Sequence, residues 1–239
     1  MKTTRWPLFL RLARGYARRR IARDLDGLYV DGLEQTQALL SESPVVLAAN
    51  HVAWWDPIVL LPLDEALGAE GYALMDAANL RTLPFFGWVG AIPLDRSSAS
   101  SSRRGLKGAV ELLDTPGRAV WIFPQGRQRP SWLRPLDLKP GVRLVARLAD
   151  VPVVPVSLTY AFREAPQPSV VVRFGAPLAP RRQDLISALE AEIVDGLAHN
   201  DNFIEGAGTH TPLISARGSR SEEGIGARIL AALGAGGRS

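Results

Sequence analysis

The chain contains no cysteine among its 239 residues. Disulfides, thiolate metal sites and cysteine nucleophiles are therefore excluded, and the composition is compatible with a reducing compartment. Its three histidines, His51, His199 and His210, are too far apart in sequence for a local metal motif such as H-E-x-x-H. A G-x-S-x-G nucleophile elbow is also missing. These absences argue against a metal-dependent hydrolase and against a serine hydrolase.

Long apolar runs are missing as well. The run from Trp6 to Leu10 is too short for the core of a signal peptide, and no stretch approaches the length of a transmembrane helix. Apolar residues make up 46% of the chain and charged residues 22%, which is typical of a globular protein and not of a disordered or multispanning one. The length suits one α/β domain with appendages.

Acidic residues are absent from the first 23 positions, which hold eight basic residues. The remainder carries 20 basic and 24 acidic residues, so we expect no nucleic-acid partner. Trp6, Phe9, Leu12 and Tyr16 recur at roughly helical spacing, which predicts a basic amphipathic helix over residues 1–25. Such a helix can bind an anionic membrane surface, and we expect a peripheral protein on the cytoplasmic face of a membrane. The alternative is a helix that packs its aromatic stripe on the domain.

Strand-like and helix-like segments alternate over residues 26–198. This alternation predicts a single-domain αβ sandwich with a mixed, largely parallel sheet. The serine-rich stretch 97–102 is predicted to be a loop. Residues 199–239 are rich in Gly, Ala, Ser and Arg, which predicts a flexible tail with at most one short helix near residues 222–233.

A predicted buried strand, Pro44 to Ala49, ends directly before a group of polar residues that includes His51 and Asp56. Ligands bind at the carboxyl ends of strands in α/β folds. Taken alone, the pair is equally compatible with structural roles: a satisfied histidine, and an aspartate that caps the following helix. The chemical alternative is that Asp56 accepts the Nδ1 proton of His51 and leaves Nε2 free as a general base. The two side chains can meet only if residues 51–55 form a turn.

The segment Asn50-His51-x-x-x-x-Asp56 resembles the N-H-x-x-x-x-D signature of the glycerolipid acyltransferase family, which includes the 1-acylglycerol-3-phosphate acyltransferases. Three further segments resemble that family's later blocks and follow in the same order: Gly90 to Arg96, Phe123 to Gly126, and Val151 to Val156. A lysine and a glycine that are common before the fourth block are present as Lys139 and Gly141. The resemblance covers residues 44–160.

This resemblance implies an O-acyltransferase of phospholipid biosynthesis that uses neither a metal nor a bound cofactor. The acyl donor would be acyl-CoA or an acyl-carrier protein, which would then be a partner, and the acceptor would be a lipid hydroxyl. His51 would be the general base and Asp56 its orienting partner. Arg96 would contact an acceptor phosphate, with a surface ion pair to Asp95 as the alternative. The third block adds further residues at the acceptor: Gln125, Gly126 and Arg127.

The third block departs from the usual F-P-E-G-x-R of the family. Gln125 takes the place of the glutamate, and Gln128 takes the place of the arginine. The acceptor therefore stays open between a lysophospholipid such as 1-acylglycerol-3-phosphate and a non-phosphate acceptor, a glycolipid or a glycosylated isoprenoid. Backbone amides exposed by Gly126 would favour a phosphate. A glutamine would suit sugar or glycerol hydroxyls.

Two other classes of function also stay open. One is a hydrolase or transacylase that uses the same pair of residues, and the other is a noncatalytic lipid-binding protein of the same fold. For most of the aromatic residues near the first two blocks we favour packing in the core or along a groove, with the lining of an acyl-chain channel as the alternative for some of them. These residues are Trp54, Trp55, Phe85, Phe86 and Trp88.

Overall fold

The computed structural model describes residues 5–216, which form one eight-stranded sheet covered by helices on both faces. The strands are Gly27–Asp31 (β1), Val45–Ala49 (β2), Glu70–Asp76 (β3), Ala91–Leu94 (β4), Arg118–Ile122 (β5), Val153–Phe162 (β6), Pro168–Phe174 (β7) and Thr211–Ser215 (β8). The helices are Pro7–Asp24 (α1), Leu33–Glu42 (α2), Asp56–Leu67 (α3), Ala77–Thr82 (α4), Phe86–Val89 (α5), Ala99–Leu112 (α6), Gly141–Ala149 (α7) and Leu185–Ile204 (α8).

The strands follow the order β4-β3-β5-β2-β6-β7-β1-β8 across the sheet. Neighbours from β4 to β6 are parallel, as are β7 and β1, whereas β6 pairs with β7 and β1 with β8 in antiparallel fashion. The predicted mixed, largely parallel sheet of an α/β domain is confirmed. Because β2, β3, β4 and β5 are parallel, their carboxyl ends meet at one edge of the sheet, and the loops that leave them can build a common site.

The central strand β2 is buried on both faces, which explains its uninterrupted apolar sequence. Successive side chains of a strand point to opposite faces. Val45, Leu47 and Ala49 pack on the side covered by α1, α2 and α3, and Val46 and Ala48 pack on the side covered by α6, α7 and α8. The strand is therefore held rigidly up to its last residue.

The domain continues past residue 198, where the sequence predicted its end. Helix α8 runs to Ile204, and β8 adds to the free edge of β1. His210 is buried, and its Nε2 lies 2.9 Å from Oδ1 of the buried Asn200. The prediction of a flexible tail was wrong for residues 199–216, because backbone hydrogen bonds to β1 hold β8, and the composition of a segment does not reveal such pairing. The short helix predicted near residues 222–233 lies outside the described residues.

The serine-rich stretch is also more ordered than the sequence predicted. Helix α6 begins at Ala99, and Oγ of Ser98 accepts a hydrogen bond from the Ser101 N–H. Serine is a favoured N-cap residue because its hydroxyl can pair with a backbone N–H that lacks a helical partner. The loop prediction was therefore wrong from residue 99 onward.

Helix α1 is docked on the domain along part of its length. Ala17 and Ile21 are fully buried in the core beneath it. Near its start, the ring centroids of Trp6 and Phe9 lie 5.6 and 5.1 Å from that of Trp88. The packing alternative therefore describes one side of this helix. Among residues 5–216, no helix combines the length and the apolarity that crossing a bilayer requires.

Core packing was the wrong prediction for three of the aromatic residues. Trp54 is 63% exposed, Phe85 38% and Trp88 44%. Phe85 and Trp88 contact Phe9 of α1. We call the set Trp6, Phe9, Phe85 and Trp88 the aromatic patch. It joins α1 to the segment around α5, a contact between distant parts of the chain that no local pattern predicts.

Candidate active site

Asn50, the first residue after β2, holds the strand end against its neighbour β6. Its Nδ2 donates to the Leu158 carbonyl at 2.9 Å, and its Oδ1 accepts from the Leu158 N–H at 2.7 Å. Strand pairing between β2 and β6 ends at Ala49 and Val156, so the amide of Asn50 takes the place of a further backbone partner. Asn50 thereby fixes the position of the backbone directly before His51.

His51 and Asp56 are joined by a hydrogen bond. The distance from Nδ1 of His51 to Oδ2 of Asp56 is 2.6 Å. The Asp56 side chain is fully buried, whereas 20% of the His51 side chain is exposed. The ring of Phe123 packs beside the imidazole at a centroid distance of 4.5 Å. The buried carboxylate of Asp56 thus orients the imidazole, and the exposed part of the imidazole remains accessible to a ligand.

The turn between these two residues is held by the same carboxylate. Oδ2 of Asp56 accepts from the N–H groups of Val52 at 2.8 Å and Ala53 at 3.2 Å. The predicted helix-capping role was wrong, because α3 begins at Asp56 itself, after Trp55 in the N-cap position. The side chain bends back onto residues 52 and 53, which creates the turn that the pair requires.

Tyr160, which the sequence analysis missed, binds the other oxygen of this carboxylate. Its Oη donates to Oδ1 of Asp56 at 2.7 Å. Burial raises the pKa of Tyr160 well above its ordinary value, and the neighbouring charge of Asp56 adds to the effect. The phenol therefore stays a neutral donor. Its position in β6 offered one usable signal, an aromatic residue with a polar atom on the same face of the strand as Val156 and Leu158.

Gln125 binds the backbone of His51. Its Oε1 accepts from the His51 backbone N–H at 2.6 Å, and the residue is 3% exposed. This oxygen is occupied by the backbone, so the geometry makes Gln125 a support for His51, and its contact with the acceptor stays a prediction. An amide oxygen accepts this hydrogen bond as a carboxylate oxygen would, which explains how glutamine is accommodated here.

Gly126 and Arg96 bring the second and third blocks together. The Gly126 N–H donates to the Phe123 carbonyl at 3.0 Å, so this amide is not free to bind a phosphate as predicted. The Gly126 carbonyl accepts from Nη1 of Arg96. Gly126 has a φ of +69°, a conformation that suits glycine.

Arg96 pairs with Asp76 at the end of β3, and not with Asp95. Its Nη2 donates to Oδ2 of Asp76 at 2.6 Å, and this hydrogen bond is the largest cause that lowers the pKa of Asp76. Oδ1 of Asp95 accepts instead from the Ser97 N–H. The predicted surface pair was therefore wrong. Half of the Arg96 side chain remains exposed, so its guanidinium can still meet an anion.

The loop after Gly126 borders an open depression of about 290 Å³, which Val52, the residue after His51, also lines. The N–H of Arg129 donates to the His51 carbonyl at 2.8 Å, which ties this loop to the site. Arg127 is exposed on the same loop. The depression is lined by Val52, Gln128, Arg129, Pro130 and Trp132. In the part of the chain from residue 5 to 216, no three His, Asp or Glu side chains cluster as the ligands of a metal ion would.

Comparison with known proteins identifies the family of this chain. The family model described as Acyltransferase matches residues 27–159, which is more than half of the chain. The chain therefore belongs to the Acyltransferase family. The matched range includes His51, Asp56 and all four blocks in full, and it ends one residue before Tyr160.

Two curated relatives share part of this sequence. A 1-acyl-sn-glycerol-3-phosphate acyltransferase of Streptococcus pneumoniae is 31% identical over 118 residues, which are 48% of this chain and 41% of the relative. A 1-acyl-sn-glycerol-3-phosphate acyltransferase of Saccharomyces cerevisiae is 30% identical over 122 residues, 49% of this chain and 39% of the relative. The match thus spans about two fifths of each relative's length.

A solved structure shares the fold. The crystal structure of the 1-acyl-sn-glycerophosphate (LPA) acyltransferase PlsC from Thermotoga maritima aligns with a TM-score of 0.60 at 18% identity. The alignment covers 79% of this chain and 78% of the other. At this identity the likeness supports the α/β architecture alone.

Proposed function

We propose that this protein transfers a fatty acyl group from an acyl thioester to a hydroxyl of a lysophospholipid such as 1-acylglycerol-3-phosphate. The observation that carries the proposal is the hydrogen bond from Nδ1 of His51 to the buried carboxylate of Asp56. Family membership and the names of the two relatives support the same activity.

The proposed reaction needs one base and no covalent enzyme intermediate. With its proton on Nδ1, held by Asp56, His51 presents a free Nε2 lone pair. Nε2 accepts the proton of the acceptor hydroxyl while the oxygen attacks the thioester carbonyl. The new C–O ester bond forms, the C–S bond breaks, and the imidazolium returns the proton to the leaving sulfur. Asp56 stabilises the imidazolium between these steps.

The hydrogen-bond partners of Arg96 and the replacement of an arginine by Gln128 favour a second class of acceptor. Arg96 already pairs with Asp76, and Gln128, one of the residues that line the depression, stands where the family motif has an arginine. Nη1 and Nη2 of Arg96 already donate to Gly126 and Asp76, and the Asp76 carboxylate offsets the charge of the guanidinium, which favours an uncharged glycolipid or glycosylated isoprenoid. Arg127, exposed on the same loop, offers the contrary argument for a phosphate.

Transfer assays distinguish these proposals. Purified protein and its His51→Ala variant are incubated with labelled acyl-CoA or acyl-carrier protein and a panel of lysophosphatidate, other lysophospholipids and uncharged glycolipids, with EDTA present. We expect ester formation that falls by about 10²-fold or more in the variant. Equal rates in both proteins would refute the role of His51. Release of free fatty acid without an acceptor would indicate a hydrolase, and lipid binding with no transfer from either donor would indicate the noncatalytic class.

We also propose that the protein works on the cytoplasmic face of a membrane, bound at its surface. Leu8 and Leu12 of α1 are 59% and 64% exposed, and they lie on the helix that carries part of the aromatic patch. Arg11 and Arg19 are exposed on the same helix. Exposed apolar side chains combined with basic ones suit an anionic lipid surface. Because α1 is docked on the domain, this surface would have a fixed orientation relative to the site.

Cosedimentation with vesicles of anionic and zwitterionic phospholipid tests the membrane proposal. The double variant Leu8→Ser, Leu12→Ser should lose binding, most visibly to anionic vesicles at low salt. Leu148→Ser is the matched control, because Leu148 is 62% exposed on α7, on the opposite face of the sheet. Equal binding by the double variant and the control would contradict the proposal.

A further inference from the structure

The Asp56 carboxylate has two oxygens with different surroundings. Oδ2 receives Nδ1 of His51 and the N–H groups of Val52 and Ala53, all from the turn that precedes α3. Oδ1 receives Oη of Tyr160, and among residues 5–216 no other side chain donates to this atom. A fully buried carboxylate needs donors on both oxygens, because each unpaired lone pair away from water costs free energy.

The position of Tyr160 is set by the strand that carries it. Strand β6 extends past the end of β2, and Asn50 holds it at Leu158 through both backbone groups. Tyr160 follows two residues later, so it projects to the same face of the sheet as Leu158, the face on which α3 packs. On its other side, Tyr160 pairs with Val170 of β7. The pairing of β6 with its neighbours thus holds the phenol of Tyr160 next to Asp56.

We propose that Tyr160 is a positioning residue of the acyl transfer, acting on His51 through Asp56. This inference rests on the proposed function. The hydrogen bond to Oδ1 fixes the plane of the carboxylate, so Oδ2 stays directed at Nδ1 of His51. It also withdraws negative charge from the carboxylate, which limits how strongly Asp56 favours the protonated imidazole. Tyr160 therefore keeps Nε2 both oriented and free to accept a proton.

Tyr160→Phe removes the phenol oxygen and keeps the ring. We expect kcat to fall about 10-fold, because a hydrogen bond to a charged group is lost, while KM for donor and acceptor changes little. We also expect the acidic midpoint of the profile of kcat/KM against pH to move upward, because Asp56 without this hydrogen bond attracts a proton on His51 more strongly. A substitution that acted only on stability would leave this midpoint unchanged.

Tyr72→Phe is the matched control. Oη of Tyr72 also donates to a carboxylate, that of Glu70, and the residue is also in a strand of the same sheet. Glu70 lies at the amino-terminal end of β3, away from the carboxyl ends that build the site. This variant should also lose a tyrosine–carboxylate hydrogen bond, and its kcat and pH midpoint should equal those of the native protein.

A spectroscopic measurement separates failure of this inference from failure of the proposed function. The chain has three histidines, so ¹⁵N spectra of the imidazoles can be assigned with the His51→Ala variant. Neutral His51 should carry its proton on Nδ1 in the native protein and in Tyr72→Phe, and should become a mixture of tautomers in Tyr160→Phe. Unchanged spectra for Tyr160→Phe would overturn the inference, whether or not any acceptor is acylated. Changed spectra with no transfer would support the positioning role and refute the proposed function.

Discussion

Asn50 offers the sharpest test of how the site is held. Strand β6 lies between β2 and β7, and at Leu158 the two backbone groups that face β2 meet the Asn50 amide. Asn50→Ala would leave a buried N–H and a buried C=O unpaired. Each costs about 1–3 kcal/mol, so we expect the free energy of unfolding to fall by about 2–6 kcal/mol. This is a large part of the 5–15 kcal/mol that is typical of a folded protein.

Urea unfolding followed by tryptophan fluorescence measures this loss, and the chain has six tryptophans to report it. Asn79→Ala serves as the control, because Asn79 is exposed on α4 and its replacement should change stability by about 0.5 kcal/mol at most. Acyl transfer should fall in Asn50→Ala as well, since Tyr160 lies on the strand that is released. A loss below about 1 kcal/mol would refute the reasoning, because it would mean that Leu158 finds other partners.

Two further predictions concern Gly126 and Asp64. Gly126→Ala should lower stability and acyl transfer more than Gly68→Ala. The two glycines have nearly the same φ, +69° and +66°. A Cβ at residue 126 would lie 3.0 Å from Nη1 of Arg96, whereas a Cβ at residue 68 would meet nothing within 4 Å. Equal loss in urea unfolding and transfer assays would show that the Arg96 contact is unimportant. Burial raises the pKa of Asp64 from 3.8 to about 7, although the hydrogen bond from Trp121 opposes the shift. Because the pKa of Asp64 is raised in the folded state, its contribution to the free energy of unfolding is fully present below pH 3.8 and is lost as pH rises through 7. Asp64→Asn should therefore be more stable than the native protein at pH 8 and equal to it near pH 4. An equal difference at both pH values would contradict this assignment.

The sequence was sufficient for the elements of the sheet because apolar runs and turn signals are local. Strand β2 was predicted within one residue, and the parallel arrangement followed from alternating strands and helices. The role of β8 was missed because edge pairing depends on which strand is left open, a property of the assembled sheet.

The candidate site was predicted in part, for a related reason. His51 and Asp56 are five residues apart, so a turn was enough to join them, and the structure contains that turn. Gln125 and Arg96 stay predicted members of the site, and the protein groups that they bind in the structure were not predicted. The oxygen of Gln125 meets a backbone N–H of another segment, and Arg96 meets a strand end that is 20 residues away. Spacing within one segment carries no information about such contacts.

The sequence by itself determined the fold class, the His51 and Asp56 pair and the family blocks, because each depends on residues that are close together in the chain. Tertiary structure alone decided that Tyr160 binds the same carboxylate from 104 residues away and that α1 joins its aromatic residues to α5. The physical reason is that hydrogen bonds and ring contacts depend on distances in space. Those distances are fixed only when β6 is held against β2 and when α1 is docked on the core.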